Sequence, residues 1–498
     1  MTIARFPRSK AVPLDIVGSS TFGRSSEISG ARTYNMFESD GFLVNYAGYL
    51  SLVKDLGENG RGIYTSNRSD RIIAVFGNKV YSIFVLYNVN LNQPYQFTAE
   101  LVGNLDTSST DVYIAENNNG QIAISDQANI YIYDPTTSPL LQKVNTGMDY
   151  FIPGFIDFHD GRFMCAATGT NTWRLSADND GTVWINDAQH VGTLQTKPDN
   201  CVAVVRMPSG GNTVFVFGQN VVESWFDYGG QLFPYQRNTS FNVDYGCVNA
   251  STIARSDTFI CWLGQNEKSG PVIMYSSGGP PEKISTDGID FELSNLVHPN
   301  SAEAFMYRQD GHIFYHINFI LDNKSFYYDF NTGKFYNAVD EDMNYFIAKE
   351  VAYFQNQYYF VSRNNGNFYA FDTIYSTFDG ALAPRIRVCT PIRDIDQSNT
   401  VKTDLGFTIA QGNDNPIQTK QNGEQVYTYP RVDMSFSTDG GQSFTSYVPY
   451  ELNSLGNRPN MLRWWQLGMS NYFAVQFRFY GLNGFYVTDG VVNCVGLT

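Results

Sequence analysis

The stretch Ile72-Ile73-Ala74-Val75-Phe76-Gly77-Asn78-Lys79-Val80-Tyr81-Ser82-Ile83 reads as strand, short turn, strand. Both arms are rich in β-branched and aromatic residues, and the Gly-Asn pair between them is turn chemistry. A second copy follows as Ile122-Ala123-Ile124-Ser125-Asp126-Gln127-Ala128-Asn129-Ile130-Tyr131-Ile132-Tyr133. Further copies begin near Phe163, Val214, Phe259, Ile313 and Tyr358, at spacings of roughly 41 to 54 residues, a period that matches four-stranded propeller blades with variable loops. The clearest copy runs from Tyr358 to Asp372, with Arg363-Asn364-Asn365-Gly366-Asn367 as its turn. One such unit cannot bury both of its faces, and stacking the units radially removes that problem.

Composition agrees with the repeat. The chain has 498 residues, 43% hydrophobic and 15% aromatic, with only 16% charged, which suits many short, half-buried strands. No useful length of 3.6-residue periodicity is present, so the expected class is all-β: a β-propeller of about seven blades over residues 61–382, followed by a β-sandwich-like domain over 383–498. The later region is set apart by longer strands at 403–409, 431–437, 473–480 and 491–495, whose side chains alternate as in a sheet with one wet face. Residues 1–60 are irregular and rich in Ser, Gly and Arg. They are expected to form an arm that docks on a neighbouring copy or supplies a closing strand.

The formal net charge is −15, which argues against a protein that gains affinity by grasping phosphates or reading DNA sequence. It permits an acidic wall along which DNA slides. Six cysteines (Cys165, Cys201, Cys247, Cys261, Cys389, Cys494) are scattered without a C-x-x-C pair and read as reduced core residues. The first residues lack the apolar stretch of a secretory signal, and no run of eighteen apolar residues follows, so membrane insertion by this chain is not expected.

Several local signals invite a chemical reading. Ser437-Thr438-Asp439-Gly440-Gly441-Gln442-Ser443-Phe444 resembles the Asp-box of sialidase propellers. In that box the carboxylate organises a hairpin by accepting backbone N–H groups, so Ser437, Asp439, Gly441 and Phe444 are assigned a structural role. Asp340-Glu341-Asp342 reads as a solvated loop without the spaced oxygen ligands of a calcium loop. His312 and His316 lie on an alternating, strand-like segment, where i and i+4 are about 13 Å apart and unsuited to one metal ion. Arg385, Arg387, Arg393 and the run Arg463-Trp464-Trp465 are candidates for stacking on nucleic acid. Their simpler reading places each Arg on a wet strand face and the Trp residues in the interior or at an interface between copies. No G-x-S-x-G, Walker or H-E-x-x-H motif occurs. Neither catalytic residues nor a cofactor or metal is expected.

Ordered segments along the chain resemble the tail hub (nozzle), or packaged-DNA stabilisation, proteins of short-tailed bacteriophages. They are Arg32-Thr33-Tyr34-Asn35-Met36, Ala47-Gly48-Tyr49-Leu50, Arg61-Gly62-Ile63-Tyr64, Val221-Val222-Glu223-Ser224-Trp225-Phe226, Tyr245-Gly246-Cys247, Trp262-Leu263-Gly264, Glu282-Lys283-Ile284-Ser285-Thr286, Ser437-Thr438-Asp439-Gly440-Gly441, Arg463-Trp464-Trp465-Gln466-Leu467-Gly468 and the last strand with Cys494. The resemblance implies a non-enzymatic virion protein of the tail, assembled in the host cytoplasm as a homo-hexameric ring. Its partners would be the phage adaptor and portal proteins above and the tail needle or other tail proteins below. Genomic DNA would be retained by the ring and later pass through its lumen without sequence-specific binding. The competing expectation, from the aromatic content, is a carbohydrate-binding or glycan-cleaving propeller of a host-attachment apparatus.

Overall fold

The opening hairpin forms as its sequence requires. Strands Ile72–Phe76 and Lys79–Leu86 pair antiparallel with Phe76 opposite Lys79, and Gly77 turns the chain at φ 54°. The computed structural model describes residues 9–24, 30–86, 96–209, 211–230, 232–394, 398–410, 417–421, 424–428, 430–452, 459–480 and 484–496. Nearly all regular structure in these residues is β, and the α-helix Asp287–Ser294 is one short exception.

Six antiparallel sheets are built from consecutive strands. The first consists of Gly60–Thr65, Ile72–Phe76, Lys79–Leu86 and Gln96–Asn104. The others span 113–143, 153–193, 201–243, 254–283 and 302–337. A further sheet takes Ala348–Phe354, Gln357–Ser362 and Phe368–Asp372 and is completed from upstream by Gly48–Val53, with Phe371 opposite Tyr49. The repeat starts at Ile72, Ile122, Phe163, Val214, Phe259, Ile313 and Tyr358 fall in, or directly before, the second strand of each of these sheets.

Those second strands are buried on both faces, which is why they read as continuous apolar runs instead of alternating ones. In Ile72–Phe76, Ile73 and Val75 pack with Ile122, Ile124 and Tyr131 of the next sheet. Ile72, Ala74 and Phe76 pack the other way, against Tyr359, Val361 and Phe368 of the last. The same division recurs around the molecule: Phe163 and Cys165 meet Ile130 and Ile132, Trp173 meets Trp225, Phe217 meets Trp262, Leu263 meets Tyr315, and Tyr307 meets Phe371. The contact between last and first sheet closes the circle, giving an all-β propeller.

Most of the remaining strands form two sheets around one further core, while Ile417–Gln421 and Glu424–Thr428 pair as a separate hairpin. One contains Thr400–Ala410 flanked by Pro459–Trp465 and by Gly490–Gly496, with Ser9–Leu14 beyond the latter. The other continues directly from the propeller. Lys334–Asn337 pairs with Arg32–Tyr34, which pairs with Arg385–Val388, then Tyr472–Tyr480, Arg431–Ser437 and Val448–Glu451. Asn35 locks this junction at φ 53°: its side-chain amide donates to the carbonyls of Val339 and Pro384 at 3.0 Å each and its Oδ1 accepts from the Val339 N–H. Asn tolerates that left-handed conformation better than most residues.

Two expectations about the arginines are corrected. Arg385 and Arg387 do not sit on a wet face; both are buried. Their strand runs in the interior of the ten-stranded sheet, and residues 15–19 of the N-terminal stretch cover it. The Arg387 guanidinium donates to the carbonyls of Asp15, Gly18 and Ser19 and to the Thr33 hydroxyl. The acidic loop is corrected in part: Asp340 is buried and its Oδ1 accepts the N–H groups of Asp342 and Asn344, whereas Glu341 and Asp342 are exposed.

Gly48–Val53 closes the last sheet, so its anchor governs the whole ring. Tyr49 is fully buried, stacks on Phe378 at 4.6 Å and donates to Glu341. Tyr49→Ala is expected to destabilise the protein by roughly 3–5 kcal/mol, read as a lower urea midpoint, while Tyr486→Ala at an exposed position should stay within about 0.5 kcal/mol of the parent.

Candidate functional site

The first strand of each propeller sheet faces the axis, and together they enclose a cavity of about 540 Å³. Its wall includes Ile63, Tyr64, Tyr113, Phe155, Phe305 and Glu350, drawn from well-separated stretches of the sequence.

One end is plugged by charge. Lys349 Nζ lies 2.8 Å from Asp111 Oδ1 and 2.8 Å from Glu303 Oε1, and the Arg363 guanidinium bridges the same two carboxylates. Ser251 donates to the second Asp111 oxygen at 3.0 Å. Lys349 and Glu303 are 5% and 3% exposed, so breaking the set would leave an uncompensated buried charge. Burial alone would raise the Asp111 pKa, but Lys349 and Arg363 outweigh it and hold the carboxyl well below its usual range. Beside this plug, Arg61 is fully buried and spends its donors on Gly77 O, Thr107 O and Oγ1, and Thr110 O and Oγ1.

The opposite end is open and ringed by Asn67, Arg68, Asn117, Arg206, Arg255 and Tyr353. Its acids are mostly engaged. Asp157 takes Arg255 on both oxygens, at 3.0 and 2.8 Å, and accepts the Arg206 N–H. Glu116 accepts from the Ser66 hydroxyl and the Asn67 N–H. Between the two ends lies Glu350, whose Oε2 accepts the Ile63 N–H at 3.0 Å. Burial pushes its carboxyl up to about 7, against the pull of Lys349. No histidine or cysteine lines this cavity, and among the described residues no group of three His, Cys, Asp or Glu is placed to hold a metal ion.

The sequence-predicted hairpin lies elsewhere, in the C-terminal part. Asp439 Oδ1 accepts the N–H groups of Gln442 and Ser443 at 3.0 Å each, and Oδ2 accepts the Ser443 hydroxyl. Ser437 donates to Asp439 and accepts the Gly441 N–H. These bonds hold the Asp439 carboxyl well below its usual range. Gly440 is obligatory at φ 79°, because a Cβ there would meet the Tyr472 ring at 1.9 Å. Phe444 lies against Gly441. Trp464 is in the C-terminal core, while Trp465 is 62% exposed with Arg463 over its ring. His312 pairs with Asp329 and Ser39, and His316 sits between Tyr46 and Asn318. The six cysteines are free and buried.

Sequence reasoning missed the cavity residues. Glu350 and Lys349 sit in an ordinary-looking strand, and nothing local marks one as lining a cavity and the other as plugging it. The repeat legible in the sequence lies in the second strand of each sheet and not in the first strands that line the cavity.

Glu350 gives a pH signature. Its folded value lies above its unfolded one, so its contribution favours folding at low pH and is lost as pH rises toward and through about 7. Glu350→Gln should therefore match the parent near pH 4 and exceed it by up to roughly 3 kcal/mol near pH 8, measured by thermal unfolding of both proteins across that range. A difference that shrinks with rising pH would refute the assignment.

No curated protein matches the chain at the significance required. Solved structures similar to it include a catalytically inactive virginiamycin B lyase from Staphylococcus aureus with quinupristin, at 11% identity and a TM-score of 0.42, covering 66% of this chain and 98% of that one. The WD40 β-propeller domain of Doa1 matches at 9% identity and a TM-score of 0.39, covering 67% and 99%. These distant likenesses carry no argument about activity. The family model described as Phage_stabilise, bacteriophage P22 Gp10, β-propeller, matches residues 31–376, which takes in the junction at Asn35, the closing strand, the plug and the open cavity. The chain therefore belongs to that family of bacteriophage β-propeller structural proteins.

Proposed function

We propose that the chain is the tail hub, or nozzle, subunit of a phage virion, with its propeller sheets as seven blades and its two C-terminal sheets as a sandwich. Copies form a ring, six by the family resemblance, below the portal and adaptor and above the needle or other tail proteins. The ring retains packaged DNA and conducts it during ejection.

The plugged axis supports this reading. A duplex whose major groove alone is about 12 Å wide cannot pass a cavity of about 540 Å³ closed by Lys349, Glu303, Asp111 and Arg363. Any DNA path must run between copies. A net charge of −15 gives such a lumen no general attraction for phosphate.

The observation that carries the reading is an apolar sheet face. Phe42, Met461, Trp465, Met469, Tyr486 and Val491 are 37–62% exposed. Strand pairing places Met461 beside Thr408 and Val491 beside Gly406, on the side of the sheet turned away from the C-terminal core. Exposed apolar patches of this kind mark interaction sites, and Trp and Tyr are enriched where interfaces hold.

Cryo-electron microscopy of virions should place the chain in a ring coaxial with the portal. Peripheral knobs or absence from the particle would refute the hub reading. The double variant Met461→Ser with Trp465→Ser should keep the parent's melting temperature, since surface changes cost within about 0.5 kcal/mol, yet yield particles that lack the ring and lose DNA.

A further inference from the structure

A ring of identical copies needs two different contact surfaces on each copy. A face that meets the same face on its neighbour is then fully occupied and stops at two copies, whereas a head-to-tail contact repeats until the rotation closes. The apolar face of Met461, Trp465, Tyr486 and Val491 is one surface, so its counterpart must lie elsewhere on the chain.

The rim of the sheet at 153–193 offers it. Tyr150, Ile152 and Ile185 are 58%, 57% and 39% exposed. They belong to one patch: Phe151 lies against the Trp184 ring at 5.6 Å, and the Arg174 guanidinium stacks over Phe151 while donating to the Tyr150 carbonyl and to Asn186 Oδ1. Thr146 bridges Val183 on the fourth strand of that sheet, Asp180–Trp184. The first strand faces the axis, so the patch is on the outside of the propeller.

Its position suits a head-to-tail contact. The C-terminal sheets join the propeller at Lys334–Asn337, and Phe42–Asn45 runs from them into the closing strand Gly48–Val53. From there, two sheets intervene in either direction round the circle before the sheet at 153–193 is reached. The patch therefore lies across the disc from the apolar face. Leu321, 67% exposed, is in the sheet at 302–337 and lies on the near side. Charge also matches: Arg463 stands over Trp465 on the face, and the exposed acids Asp149 and Asp187 border the rim patch, an opposition of sign that steers two surfaces together.

We propose that copies join head to tail, the C-terminal face of one seated on the Tyr150, Ile152 and Ile185 patch of the next. This rests on the hub reading, because it supplies the second surface that a ring requires.

The test uses particles carrying Ile152→Cys with Val491→Cys, treated with a short bismaleimide and run on a denaturing gel. The six native cysteines are buried, so the introduced thiols are the ones that react. The double variant should give a ladder extending above the dimer, while each single variant stays monomeric. Dimers from Val491→Cys alone would show the face meeting itself and overturn the proposal. So would a monomeric double variant in particles whose ring is visible by microscopy, since the contact then lies elsewhere. Particles without a ring refute the hub reading instead, and the contact with it. As a second measure, Ile152→Asp should keep the parent's melting temperature and abolish the ring, whereas Leu321→Asp should leave the ring in place. The reverse pattern overturns the proposal.

Discussion

Everything in this molecule follows from strands that must be covered on both faces. A half-buried strand can stand at a wet surface, but Ile72–Phe76, all five residues of which are buried, cannot. Each propeller sheet needs a neighbour on either side, and a linear stack would always leave two sheets with a bare face. Closing the circle removes the ends. The closing piece is not the next strand in sequence but Gly48–Val53, held to Phe368–Asp372, so the ring is fastened by a segment that precedes its first sheet. Opening it would expose the contacts of Val361 and Phe368 with Ile72 and Ala74, and each such side chain contributes about 1.5–3 kcal/mol when buried.

The same closure explains why the resemblance motifs contain so many polar residues. Asn35, Arg61 and Glu223 are buried, and each spends its side chain on backbone groups where elements change direction. Glu223 accepts from the N–H groups of Gln195 and Thr196 and from the Trp225 indole. Arg61 satisfies three carbonyls and two hydroxyls. A buried polar group left unpaired costs about 1–3 kcal/mol, so these side chains specify one joining geometry and reject others.

That division also sets what could be read from the residues alone. The second strands were legible because their apolar runs are continuous and recur, and the turn at Ser437–Phe444 was legible because its hydrogen bonds are local. Arg387 was misread because its cover, residues 15–19, lies far away in sequence, and Arg385 because it lies against Phe485, a hundred residues on. Alternation reports that a strand has two faces, not what a distant segment lays over one of them. The cavity was illegible for a related reason. Its lining comes a few residues at a time from strands spread between Ile63 and Tyr353, and no short window contains more than a fragment of it.

The ion cluster and the open end divide the propeller axis into a closed part and an open part. Lys349 and Glu350 are adjacent in one strand, yet Lys349 is tied to two carboxylates while Glu350 accepts a backbone N–H. The pairing of this strand is interrupted between Ala348 and Glu350, and the two side chains reach different surroundings at the axis. One leads into the ion cluster that joins the approach to the second sheet with the last two sheets. The other lines the open axial cavity. Charge that is paired on several sides can be buried, so the cluster of Lys349, Glu303 and Asp111 closes its end of the axis, whereas the Glu350 carboxyl stays where water still reaches it.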